Sequence, residues 1–162
     1  MKLNEKVLSA LTQQVTKELY SAYLYRSIAS DMKNAGFVGY AGWLIKQYKE
    51  EVEHAEKFVD YIEDRGDVVD FGAIDAVKTH FTCPLEAAKA ALAHEEYISA
   101  SIRDLFKLAR EEGDLETEVF LQWFITEQVE EEVNANDNVQ GFTAGKDCKG
   151  LTYMFDASLA KR

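Results

Sequence analysis

Residues 11–32 read LTQQVTKELYSAYLYRSIASDM. Taken in steps of three and four, Leu11, Val15, Glu18, Ala22, Tyr25, Ala29 and Met32 fall on one helix face, and only Glu18 among them is charged. The same interrupted stripe recurs three times. Leu44, Tyr48, Glu51, Ala55, Phe58 and Ile62 form the second, with His54 one turn beyond Glu51. Ala88, Leu92, Glu95, Ile98, Ile102, Leu105 and Ala109 form the third, and Leu121, Phe124, Gln128, Glu131 and Ala135 the fourth. An ionised carboxylate on a buried face costs several kcal/mol unless something compensates it. Four helices that each carry an acid at mid-length, with too few buried cations to pair them, need a cation from outside. The pattern points to a metal site.

Working outward from these stripes, the chain reads as nearly all helix. Proline occurs once, at Pro84, and alternating β-branched runs are absent. Helices are expected over about 4–34, 38–65, 84–112, 115–140 and 150–160, within one domain spanning 1–162. Asn4 is a suitable N-cap and Gly66 a suitable residue just past a C-terminus. Gly39 and Gly42 are expected where another segment approaches closely. Either Thr82 or Cys83 caps the third helix, with Pro84 at its first position, and Asp114 caps the fourth. Gly141, Gly145 and Gly150 are expected to separate the fourth helix from the last.

The linkers decide the topology. A few residues join the first helix to the second and the third to the fourth, which makes each pair antiparallel. The 67–83 connection is much longer and has no helical period, although Val68 to Gly72 could form a short extended piece. A helix of about 28 residues spans about 42 Å, and about 17 extended residues reach about 55 Å. The link can therefore run the length of the bundle. The fold class expected is an all-α four-helix bundle with one long crossover and a short fifth helix.

Bulk composition limits the function classes. The chain has 162 residues, 47% hydrophobic and 29% charged, with a formal net charge of −11. That is ordinary for a globular protein with a substantial core. So acidic a surface repels nucleic acid and anionic membranes and attracts cations. No apolar run approaches membrane length, and the N-terminus lacks the apolar segment of a signal peptide. Cys83 and Cys148 belong to no C-x-x-C pattern, so they fit reduced thiols in a cytoplasmic protein, or a single disulfide.

Glu51-x-x-His54 puts a carboxylate and an imidazole one turn apart on one side of a helix, where both can reach one ion. Glu18, Glu95 and the pair Gln128 and Glu131 lie at similar depth on the other helices, so in an antiparallel bundle all converge on one layer. Carboxylates with a single imidazole suit Fe(II), Mn(II) or Fe(III) better than a structural zinc. Glu51, between the Glu18/His54 side and the Glu95 side, is the natural bridge between two ions.

Four segments, ELYSAYLY (18–25), EEVEH (50–54), HEE (94–96) and FLQWFITEQVEEE (120–132), resemble the signatures of the bacterial non-haem ferritins. The resemblance covers essentially the whole chain. It implies a ferritin-like fold and a di-iron ferroxidase centre inside each subunit. Glu18, Glu51 and His54 would hold the first iron. Glu51, Glu95 and Glu131 would hold the second, with Gln128 close to it. A third iron site on the cavity side would use Glu50, Glu127 and Glu130, whose other reading is a solvated acidic face. Tyr25 matches a tyrosine that can supply an electron, and it also reads as a core aromatic bonded to an acid such as Glu95.

Departures from neighbouring families sharpen the expectation. Bacterioferritins and rubrerythrins repeat Glu-x-x-His on the fourth helix, where this chain has Gln128-x-x-Glu131. Two cysteines cannot build the four-cysteine module of a rubrerythrin. No methionine lies in 38–65, so no haem is expected. The DNA-protecting relatives lack the last helix, which is present here. The resemblance implies iron storage in a shell of twenty-four subunits, with Fe(II) and O2 or H2O2 as substrates. Leu151, Met154, Phe155 and Leu159 form an apolar face that could pack around a symmetry axis or fold back on its own bundle. A non-storing di-iron oxidase or peroxidase, and a metal-free structural bundle whose acids only fix register, are the alternatives.

Overall fold

The computed structural model describes residues 2–161, so Met1 and Arg162 lie outside the described residues. Five helices follow in order: α1 (Glu5–Asn34), α2 (Val38–Asp64), α3 (Pro84–Glu111), α4 (Leu115–Gly145) and α5 (Lys149–Leu159). The first four form an all-α bundle with a long crossover, and α5 is a short C-terminal addition. α1 lies along α2 and α3 along α4, α1 also meets α3, and α5 rests on α2 and α4.

Local chemistry sets the helix ends. The Asn4 side chain accepts from Val7 N–H at 2.9 Å and starts α1. Asp114 does the same for Thr117 at 3.1 Å and starts α4. Cys83 is the N-cap of α3, while Thr82 is held from inside the helix by Glu86 at 2.6 and 2.7 Å. Gly36 and Gly66 adopt φ of +92° and +83°, the left-handed conformation that ends α1 and α2.

The crossover tracks α1 from end to end. Asp67 receives Leu3 N–H at 2.8 Å, Lys78 carbonyl receives the Ser27 hydroxyl at 3.1 Å, and Asp31 receives Phe81 N–H at 2.9 Å. This is the full-length crossing that the linker lengths predict. No strand forms over residues 67–81, and the possible extended piece at Val68 to Gly72 pairs with no other strand among the described residues. Val69 is buried there as a single apolar anchor.

Helix α4 overruns its expected end at residue 140 and continues through Gly141 to Gly145. These glycines are contact positions for α5 rather than helix breakers. A Cβ on Gly141 would lie 2.2 Å from the Phe155 ring, and one on Gly145 would lie 2.7 Å from Thr152 Oγ1. Gly39 is likewise close-packed, its Cβ position only 1.8 Å from the Asp156 carbonyl oxygen, whereas Gly42 meets nothing within 4 Å in this chain. The apolar face expected on α5 is divided. Leu159 is buried and Phe155 packs against the bundle, while Leu151 and Met154 face outward.

Asp156 ties α5 to the bundle. Phe37 gives α2 no side-chain cap. The Asp156 carboxylate takes that role, accepting from Gly39 N–H at 3.1 Å and Tyr40 N–H at 2.7 Å. Replacing Asp156 with Ala leaves both donors buried and unpaired, at a cost of about 1–3 kcal/mol. The expected result is a melting temperature lower by several degrees, with proteolysis first cutting the segment before α5. An unchanged melting temperature would show that α5 is held by apolar contact alone.

The core is split into two apolar halves. One contains Tyr25, Ile28, Met32, Tyr40, Leu44 and Phe142, and the other contains Leu11, Val15, Phe58, Ile62, Ile102 and Phe124. Between them lies a layer of buried polar side chains, and every acid of the four stripes sits in it.

Candidate metal centre

Each central acid occupies a core position because its helix alternates one apolar turn below it and one above. Glu18 follows Val15 of one half and precedes Tyr25 of the other, and Glu51 stands between Leu44 and Phe58. Glu18, Glu51, His54, Glu95, Gln128 and Glu131 are all buried, the four glutamates at 0–4% exposure. Among the described residues no Lys or Arg forms an ion pair with any of these glutamates.

The ligand-capable atoms gather in two groups. Glu18, Glu51 and His54 each offer one atom within 4.8 Å of the others, and so do His54, Glu127 and Glu131. His54 is the shared member. Its Nδ1 lies 3.5 Å from Glu51 Oε2, without hydrogen-bond geometry, and its Nε2 lies 3.9 Å from Glu127 Oε1. The ring sits edge-on to Trp123 and Phe124, with centroids 5.5 and 6.0 Å away. Burial, with Lys57 as a lesser cause, pushes the imidazole down to about 4. It is therefore neutral at pH 7 and free to offer a lone pair.

Glu95 is turned to different partners. It accepts the Tyr25 hydroxyl at 2.5 Å and the Gln128 amide at 3.2 Å, while Gln128 also reaches Ser99 Oγ at 3.2 Å. The core-aromatic reading of Tyr25, with its hydroxyl on Glu95, is thus present in the structure. Glu131 accepts from the Gln47 amide at 3.3 Å, and the same nitrogen lies 2.5 Å from Glu50. Glu50, Glu127 and Glu130 line the edge of the layer but do not form a compact group of their own, since Glu127 closes on His54 and Glu131 instead. Glu95 likewise stands outside the two compact groups, bonded instead to Tyr25 and Gln128.

The electrostatics are those of like charges in a dry interior. Burial raises Glu18 to about 7, with Glu95 adding to the rise and the Gln14 bond and the adjacent Glu51 opposing it. Burial, then Glu95, Glu18 and Glu131, hold the Glu51 carboxyl well above its ordinary range. Glu131 is pushed up to about 9 by burial and then by Glu95, Glu50, Glu127 and Glu130. Partial burial, then repulsion from Glu127 in one case and Glu130 in the other, also raise Glu50 and Glu127. Tyr25 is raised by burial and by the surrounding acids. Two buried carboxylate oxygens, Glu18 Oε2 and Glu51 Oε2, have no hydrogen-bond partner among the described residues. Buried polar atoms are almost always satisfied. A divalent cation would satisfy both at once, and the donor set of carboxylates with one imidazole fits iron.

Sequence reading missed the residues that hold the acids. Gln14 stands one turn before Glu18 and donates to it at 2.8 Å, and Gln47 links Glu131 to Glu50. Their signal was available: each is a polar residue four positions before a stripe acid, on an otherwise apolar face. Trp123, beside His54 and capped by Lys57 at 4.5 Å, gave no such signal.

Comparison with known proteins agrees with this geometry. The ferritin-like domain family matches residues 8–143. A bacterial non-heme ferritin of Staphylococcus epidermidis is 37% identical over 161 residues, covering 99% of this chain and 96% of that protein. One from Staphylococcus aureus is 33% identical over 160 residues, with coverage of 99% and 96%. A crystal structure described as a novel open pore ferritin, from the hyperthermophilic archaeon Archaeoglobus fulgidus, is 35% identical and covers 99% of each chain at a TM-score of 0.97. With the family match spanning residues 8–143 and relatives alike over 99% of its length, the chain belongs to the bacterial and archaeal ferritin family of the di-iron ferritin superfamily.

Proposed function

We propose that this chain is a ferroxidase and iron-storage subunit. The observation that carries the reading is the pair of buried, unpartnered carboxylate oxygens of Glu18 and Glu51 beside a neutral His54. Glu18, Glu51 and His54 receive one ferrous ion, and Glu51, Glu95 and Glu131 receive a second with Gln128 alongside. Each ion displaces protons from carboxyls that burial holds partly protonated, so loading releases protons. Each Fe(II) then gives up one electron. The pair reduces O2 with two protons to H2O2, or H2O2 with two protons to two waters. Fixed negative charge in a low-dielectric layer favours the higher oxidation state. If Tyr25 supplies a further electron, its hydroxyl proton can pass to Glu95 along the existing bond.

Oxidised iron moves past Glu50, Glu127 and Glu130, a third site at the bundle's edge, into an enclosed space. That space needs other copies, and a cytoplasmic shell of twenty-four is the assembly proposed. Exposed apolar side chains support burial by neighbours, among them Leu151 and Met154 on α5 and Phe71 on the crossover. The archaeal relative's open pore fits an assembly that encloses a cavity.

Adding Fe(II) aerobically to the metal-free protein, with absorbance and light scattering followed together, tests the reading. Fast oxidation with iron retained in a very large particle is expected. Oxidation at the rate of buffer alone would contradict a ferroxidase, and fast oxidation by a monomer that retains nothing would contradict storage.

A further inference from the structure

Three side chains join the outer α1–α3 face to the buried centre. The Lys17 ammonium donates to Ser101 Oγ at 2.6 Å, the Ser101 hydroxyl donates to Gln14 Oε1 at 2.6 Å, and the Gln14 amide donates to Glu18 Oε1 at 2.8 Å. The direction of this chain is forced. An ammonium has no acceptor, so Ser101 must pass its single proton onward. With its carbonyl oxygen taken by Ser101, Gln14 must turn its amide nitrogen toward Glu18. A flipped amide would set oxygen against oxygen at Glu18 and donor against donor at Ser101.

The outer end opens into a groove of about 260 Å³ lined by Gln13, Lys17, Tyr97 and Ser101. Lys17 Nζ also stands 5.6 Å from the Tyr97 ring centroid there. The inner end satisfies one oxygen of Glu18 and leaves the other, Oε2, buried and unpartnered beside Glu51 and His54. Among the described residues, Glu95 and Glu131 are bonded only to neighbours inside or at the edge of the layer.

We infer that Lys17, Ser101 and Gln14 are positioning residues that fix the Glu18 carboxylate, one oxygen anchored outward and Oε2 presented to the ion before it arrives. This rests on the metal-binding reading of Glu18 proposed above. A ligand held in advance loses little freedom on binding, and outer partners of metal ligands are typically worth about 10–100-fold in affinity. The chain acts as one unit, so breaking it at two points should cost no more than breaking it once.

Anaerobic Co(II) titration of the full-length protein, by calorimetry and by visible absorbance, tests this. S101A is expected to bind Co(II) about 10-fold more weakly with an altered spectrum, S101T within about twofold of the natural protein, and S101A/K17M no more weakly than S101A. Metal-free S101A should still fold, melting a few degrees lower because Gln14 Oε1 loses its donor. Wild-type affinity and spectrum in S101A would overturn the inference. So would weakened binding in K17M with S101A unaffected, because Lys17 would then act through its charge alone. Should S101A be unstable, K17M against K17R decides the matter: loss in the first and recovery in the second supports the chain, and no loss in K17M overturns it. Absence of Co(II) binding in the natural protein would instead remove the metal reading of Glu18 itself.

Discussion

Glu51→Gln is expected to slow fast iron oxidation by about 100-fold or more while raising the melting temperature of the metal-free protein. Both effects have one cause. Glu51 stands where the repulsions meet, facing Glu18, Glu95 and Glu131. As the proposed bridge it touches both ions, so its loss should cost at least as much as loss of an outer partner, about 10–100-fold. Without metal the same carboxyl is a buried acid with an unpartnered oxygen. A neutral amide of the same shape is buried without first taking up a proton, so the cost of protonating Glu51 on folding, about 1.4 kcal/mol for each unit of pKa rise, is removed. Stopped-flow absorbance and scanning calorimetry on one preparation would read both. A variant that oxidises iron at the original rate, or one that is less stable without metal, would contradict the assigned role.

The metal-free protein should also lose stability as pH rises from 6.5 to 9. Glu18 and Glu131 have folded values near 7 and 9, above the ordinary 4.5. A carboxyl raised by folding contributes stability that is complete below its unfolded value and is lost as pH rises through its folded value. His54 and His94 work oppositely. Burial lowers both to about 4, so their contribution is complete above about 6.5 and lost as pH falls. Between pH 6.5 and 9 only the acids act, and the loss is of the order of 3 kcal/mol, a fall in melting temperature of about 5–10 °C. Co(II) should cancel most of it, because the ion takes the place of the protons that the rising pH removes. The expected record is a melting temperature that falls with pH without metal and stays level with it. A metal-free curve that is flat over this window would show that the carboxyls are not held protonated by the fold.

The sequence made the polar layer legible and left its support hidden. Each stripe acid was visible because apolar neighbours surround it at helical spacing, and the four stripes agree on depth. The crossover's length and the two short links fixed the topology for the same reason, since reach is set by backbone geometry. Helix α4 was misjudged at Gly141 because a glycine that ends a helix and one that admits a neighbouring ring look alike in one dimension. Only Phe155, from a separate helix, tells them apart. The grouping of ligands was also beyond reach of spacing. Which atom of Glu95 or Glu127 turns inward depends on Tyr25, Gln128 and His54, which approach from other helices. Gln14 and Gln47 were readable in principle, as polar residues one turn before an acid, but their partners Ser101 and Glu131 are not local to them.

The central claim is that like charges are gathered in a dry interior for iron to neutralise. Crystals soaked in ferrous salt without oxygen, measured on both sides of the iron absorption edge, address it most directly. Two anomalous peaks between the helices are expected, one in contact with Glu18, Glu51 and His54 and the other on the Glu131 side. A layer without anomalous density, in crystals that carry iron elsewhere, would contradict the account.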